Sequence, residues 1–356
     1  MTRSMVFVFA LGAWSACSTE MHPGATGGDA FGDGAALPAD DAAVAAPADG
    51  GVPGADLATR AAPPDLATRP GTFLAVGYGG RRILSSDNGL TWTNDVADVP
   101  GDNADDQYLI RDVGWGGGAW ITAGGFNGWT WRSSDGKSWG GKNDISQWFG
   151  GIAYGKGIWV AAGGTGRRSA SSDGVTWKDS YDSGAANGYR CLAFGDYDGG
   201  RFVAVGDGGR VSTSGDGSDW TIGSGFSASV GLNEVTFGNG LFVAAAANGS
   251  SAYGRSSDGG ATWTTGSLPK GIAGLAFGQG RFVAVGDGVV LDSSDGTSWS
   301  TTSVAGIGGH VAFGNGTFVA VDDGSGTFVS TDAVHWTAHA NLPAGSHLMR
   351  VRFGGI

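Results

Sequence analysis

Aspartate recurs through this chain in one setting. Asp87, Asp135, Asp173, Asp258, Asp295 and Asp332 each stand two residues after a serine and shortly before a tryptophan. Carboxylates at such regular places suggest acid–base hydrolysis, which needs a spaced pair, or cation binding. The segment itself favours a third role. In Ser-x-Asp-Gly the carboxylate can accept hydrogen bonds from backbone N–H groups just ahead, so these residues are expected to shape turns rather than catalyse.

A second set is polar where its neighbours are apolar. Asp112, Gly151, Cys191, Glu234, Gly274, His310 and Arg350 occupy equivalent places before stretches such as VTFG and VAFG. A polar ring in an apolar repeat is a candidate ligand site, with Asp112, Glu234, His310 and Arg350 as its contacts. Cys191 reads as a buried structural thiol. Aromatic residues form a third set: Tyr108, Phe126, Trp129, Trp131 and Trp148 fall in variable segments, where rings can stack on sugars or anchor a protein. The acidic stretch 93–110, with Asp95, Asp98, Asp102, Asp105 and Asp106, is the one place that suggests Ca²⁺; no other metal or cofactor is expected. Arg81–Arg82, Arg167–Arg168, Arg210 and Arg255 would either hold an anion or pair with nearby aspartates. No HExxH, GxSxG or GxxxxGK[ST] segment occurs.

The elements that place these residues follow from a repeat. SSDNGLTW (85–92), SSDGKSW (133–139), SSDGVTW (171–177), SGDGSDW (214–220), SSDGGATW (256–263), SSDGTSW (293–299) and STDAVHW (330–336) end in tryptophans 36 to 47 residues apart. Before most of them stands a second signature, as in FGNGLFVAAA (237–246) and FGQGRFVAVG (277–286). Each unit therefore holds four short strands, A to D, with tight A–B and C–D hairpins. Seven such units predict an all-β, seven-bladed β-propeller. The first unit starts at strand B (GTFLAVG, 71–77), and the chain ends in an unaccompanied strand A (HLMRVRFGGI, 347–356). The C-terminal strand is thus expected to complete blade 1 and remove free sheet edges. Tight turns crowd one face of the ring. The B–C and D–A loops vary and share the other face, where binding is expected.

Composition closes off other classes. Seventy glycines, 14 tryptophans, 17 phenylalanines and only two cysteines fit neither a disordered chain nor a disulfide scaffold. A net charge of −12 disfavours nucleic-acid binding. Residues 18–70 hold seven of the ten prolines and one aromatic, Phe31, and read as a disordered linker. Residues 1–17, MTRSMVFVFALGAWSAC, read as a secretory signal too short to span a bilayer.

That N-terminus resembles bacterial lipoprotein signals, which implies lipidation of Cys17 and anchoring to the cell envelope, with the outer membrane favoured by Ser18. The turns resemble the Asp-box (BNR) repeat, S-x-D-x-G-x-T-W, which residues 85–92 and 256–263 match in full. The resemblance covers 71–356 and implies a sialidase-like superfamily fold in which the box is a structural turn. The sialidase motifs are missing: no Arg-Ile-Pro occurs, and Glu234 is the only glutamate in the repeats. The expectation is a monomeric, non-catalytic, envelope-anchored propeller that binds a glycan or an envelope protein. The alternative is a secreted or surface glycoside hydrolase or lyase.

Overall fold

The computed structural model describes residues 71–102, 107–126, 128–143, 147–182, 187–246, 249–322, 326–343 and 345–355. The signal and linker segments, Cys17 among them, lie outside these residues. Blade 1 combines β1 (Gly71–Gly77), β2 (Arg82–Ser85) and β3 (Thr93–Val96) with β28 (Leu348–Gly355). Blade 2 is β4 (Ile110–Gly116), β5 (Ala119–Gly124), β6 (Trp129–Ser133) and β7 (Gly140–Asn143). Blade 3 is β8 (Phe149–Gly155), β9 (Ile158–Gly163), β10 (Arg167–Ser171) and β11 (Lys178–Tyr181). Blade 4 is β12 (Tyr189–Gly195), β13 (Arg201–Gly206), β14 (Val211–Ser214) and β15 (Thr221–Ile222). Blade 5 is β16 (Leu232–Gly238), β17 (Leu241–Ala246), β18 (Ala252–Ser256) and β19 (Thr264–Ser267). Blade 6 is β20 (Gly274–Gly278), β21 (Arg281–Gly286), β22 (Val289–Ser293) and β23 (Ser300–Ser303). Blade 7 is β24 (His310–Gly314), β25 (Thr317–Val321), β26 (Thr327–Ser330) and β27 (Thr337–His339). Seven four-stranded antiparallel sheets form an all-β, seven-bladed propeller, and β28 pairs with β1 from Gly71 opposite Gly355 to Val76 opposite Arg350.

Burial peaks at the second strand of each blade and falls toward the outer edge. The second strands are apolar on both faces and buried, as in FVAVG of β13 and β21, because each is covered by the blade on either side. The outermost strands, such as TNDV of β3 and TTGS of β19, are exposed. The core lies between blades. Leu74, Val76 and Leu84 of blade 1 pack on Val113 and Trp120 of blade 2. Phe73 and Ile83 on the other face of blade 1 pack on Val319 and Val321 of blade 7. The A–B hairpins use paired left-handed residues, Asn239 (φ 47°) and Gly240 (φ 75°) in blade 5, the geometry that fits the strand twist.

The glycine that ends each inner strand lies against the aromatic of the next blade. A Cβ on Gly116 would stand 2.1 Å from Tyr154, one on Gly238 2.1 Å from Phe277, and one on Gly314 2.0 Å from Phe353. Gly155, Gly195 and Gly278 meet Phe194, Phe237 and Phe313 in the same way, and Gly354 meets Trp115. The relay runs through all seven blade junctions, the C-terminal strand included.

Candidate functional site

The inner strands bring their polar column to the axis. In β4, β8, β12, β16 and β28 the pairing register slips near the start of the strand. Such bulges re-aim the side chains that follow. Gly151 and Gly274 allow close approach of backbones: a Cβ there would lie 2.5 Å from Leu192 N and 2.6 Å from His310 Cα.

Asp112, Glu234, His310 and Arg350, from blades 2, 5, 7 and 1, meet at the axis. Arg350 Nη1 donates to Glu234 Oε2 at 3.0 Å, and its Nε donates to the Arg111 carbonyl at 3.3 Å and lies 3.6 Å from Asp112 Oδ1. Arg352 donates to both Asp112 oxygens, at 3.1 and 3.3 Å. Asp112 is fully buried and also accepts from the backbone N–H of Val113 (2.9 Å) and of Ile152 (3.1 Å). His310 Nδ1 lies 3.3 Å from Glu234 Oε1. The Cys191 thiol, also fully buried, lies 3.7 Å from Arg350 Nη1.

Burial alone would push the Glu234 carboxyl up, but the Arg350 guanidinium, helped by His310 and Arg352, holds it below the usual carboxylate range. Burial, with the Arg350 charge, pushes His310 below its ordinary 6.5, so the imidazole is neutral at pH 7. Burial raises the Cys191 thiol, and Glu234 raises it further. Burial would lower Arg350, but Glu234 and Asp112 raise it above the ordinary arginine range. Two carboxylates thus face two guanidiniums beside a neutral imidazole, and the cluster balances its own charge. Arg352 was not singled out as a site residue; the signal available was an arginine in a column otherwise of Gly, Ala and Thr.

The rim at this end carries the aromatic candidates. Trp148, half-buried in the connection into β8, has two guanidiniums near its ring, Arg111 at 5.4 Å and Arg190 at 5.0 Å from the centroid. Arg190 is braced by bonds to both carboxylate oxygens of Asp207 at 2.8 to 3.0 Å. Tyr108 and Trp129 form a pair with ring centroids 5.1 Å apart. Trp129 is buried, at 8% exposure, so it does not present a bare ring to solvent. Phe126, at 67%, does. Arg111, Arg190 and Lys142, which the sequence reading passed over, are the cations against these rings.

The recurring aspartates close the C–D turns. Asp173 accepts from the Ser171 hydroxyl (2.9 Å) and from the N–H groups of Val175 (2.8 Å) and Thr176 (2.7 Å). Asp135, Asp216, Asp295 and Asp332 are held alike, whereas Asp87 and Asp258 accept from a serine hydroxyl and from both the N–H and the hydroxyl of Thr91 and Thr262. Backbone donors hold the Asp135 and Asp173 carboxyls down at about 2. The arginines opening the third strands pair with aspartates: Arg82 with Asp98, Arg167 with Asp179 (2.7 Å), and Arg210 with Asp182 (2.6 Å). In the acidic stretch that suggests Ca²⁺, Asp95 lies 3.5 Å from Arg81, and Asp105 and Asp106 lie outside the described residues. Among the described residues no group of three or more acidic, His or Cys side chains could hold a metal.

The fold and its axial column define the class: a seven-bladed propeller with a polar axis and a loop-bearing rim. No sequence-family profile matches the chain, and no curated protein is similar to it in sequence. Solved structures share the fold at low identity. A streptogramin B lyase structure is similar over 70% of this chain and 87% of its own (TM-score 0.60, 10% identity). YCF48 bound to D1 peptide is similar over 64% of this chain and 80% of its own (TM-score 0.51, 16% identity). The computationally designed Ika8 protein is similar over 78% and 90% (TM-score 0.53, 14% identity). These likenesses are of fold alone, and the neighbours include both a lyase and a peptide-binding propeller.

Proposed function

We propose that this chain is a non-catalytic binding propeller, tethered to a bacterial cell envelope through Cys17, which takes a protein partner on the D–A/B–C face. The observation that carries this reading is the rim: Trp148 with the guanidiniums of Arg111 and Arg190 against its ring. Trp, Tyr and Arg supply most of the binding energy at protein interfaces, and preordering them lowers the cost of association. The axial carboxylates, by contrast, are neutralised by arginines in place, which makes them poor bases.

A photo-crosslinking residue at Phe126 tests this, with one at Leu90, 48% exposed on the opposite face, as control. A discrete protein adduct is expected from position 126 and not from 90, weakened by Trp148→Ala. Glycan-array binding without any adduct would assign the face to sugars instead.

One observation favours the reading as a hydrolase or lyase. The His310 side chain is 15% exposed and touches Glu234, as a general base and its orienting carboxylate would. Turnover that is abolished by His310→Ala and Glu234→Gln, in a screen of glycosides and uronates, would establish it.

A further inference from the structure

Blade 2 holds a second arrangement, which the axial cluster does not use. Lys142 lies on the outermost strand and is exposed, yet its ammonium sits over the Trp129 ring, 3.6 Å from the centroid. It lies 5.9 Å from the Trp131 ring, which the Arg82 guanidinium approaches more closely, at 5.2 Å, and Tyr108 packs against Trp129 with the ring planes 60° apart. Among the described residues no carboxylate lies within ion-pair distance of this ammonium. A lysine head group is strongly hydrated and usually reaches for water. Here it lies on aromatic faces instead.

An ammonium seated on an aromatic face is the arrangement that recognises alkylammonium groups, through attraction between the charge and the ring, and here Trp129 supplies the near face, with Tyr108 packed on its ring and Trp131 farther off. In this chain the occupant is its own. We propose that Tyr108, Trp129 and Trp131 form a receptor for a lysine side chain of a partner protein, and that Lys142 fills it until the partner arrives. The occupant argues for lysine: the site already accepts an ammonium on a four-carbon stem. Exchange is cheap, since an exposed Lys142 swings into water as the incoming group enters. The chain's net charge of −12 draws a basic segment toward it. The inference rests on the reading of the D–A/B–C face as the binding face, because Tyr108 precedes β4 and Trp129 opens β6, both at that end of blade 2.

The test titrates the whole protein and its Lys142→Ala variant with four probes, followed by saturation-transfer NMR and calorimetry. The probes are N-acetyl-lysine methylamide, its Nε-trimethyl form, the neutral norleucine analogue, and phosphocholine. Both lysine probes are expected to bind Lys142→Ala about tenfold more tightly than the unaltered protein, while the norleucine analogue binds neither. Adding Tyr108→Leu to Lys142→Ala should reverse the gain; Tyr108 is only half-buried, so the variant is expected to fold, and Trp131→Leu supplies a second check. The proposal is overturned by no gain in Lys142→Ala, by equal binding of the norleucine analogue, or by phosphocholine binding more tightly than either lysine probe. If Lys142→Ala gains nothing while position 126 still crosslinks, the receptor fails and the binding face stands.

Discussion

Arg350 contacts carboxylates of two other blades, and both are buried. Removing one partner of a buried ion pair leaves an uncompensated charge, at a cost of about 3–5 kcal/mol. Arg350→Met should therefore lower the urea midpoint steeply, and adding Glu234→Leu should restore part of the loss, since the remaining carboxylate, Asp112, still has Arg352. Acid should act on the same cluster. His310 titrates below 6.5 in the folded chain, so as pH falls past 6.5 the unfolded chain gains a proton that the native one refuses, and stability drops. Glu234, also depressed, contributes stability above its ordinary 4.5 that is lost as pH falls toward its native value. Thermal melts at pH 7.5 and 5.5 should differ, and His310→Leu should shrink the difference. The axial column was legible because repeats align, so a polar residue in an apolar place stands out. Which residues would touch was not: Arg350 and Glu234 are 116 positions apart, and only ring curvature joins them. Trp129 and Trp148 look alike in sequence, yet Lys142 covers one and two arginines flank the other.

At the scale of the blade, strand order, turn position and the closing strand all followed from residue pattern, because Asn-Gly pairs and Ser-x-Asp-Gly turns have few backbone solutions. The junction glycines carried a subtler signal. They precede the hairpin turns, and nothing in their spacing says that their side of the strand is filled by a neighbour's ring. Gly238→Ala would force a methyl to 2.1 Å from Phe277. Overpacking of this kind costs about 1–3 kcal/mol, and Phe277→Leu in the same chain should recover part of it, read as paired shifts in urea midpoint. Gly240→Ala, in the adjacent turn with open space around its Cβ, should cost through its φ of 75° alone and should not respond to Phe277→Leu.

For the whole molecule, β28 completes blade 1, supplies both axial arginines and fills the last junction of the glycine–aromatic relay. A chain ending at residue 345 would leave β1 with an open edge and Asp112 and Glu234 without counter-charges. We expect loss of the sharp unfolding transition and of near-ultraviolet circular dichroism, both regained when a peptide of residues 346–356 is added. Truncation before Gly71 should leave the transition unchanged. The seam also sets how the ring answers tension. Gly71 and Gly355 are the first rung of an antiparallel pair, so a load drawn between the segments flanking them would unzip the seam one rung at a time. A load spread across the rim would have to shear several rungs at once, so the same ring would give way at low force in the first direction and resist in the second.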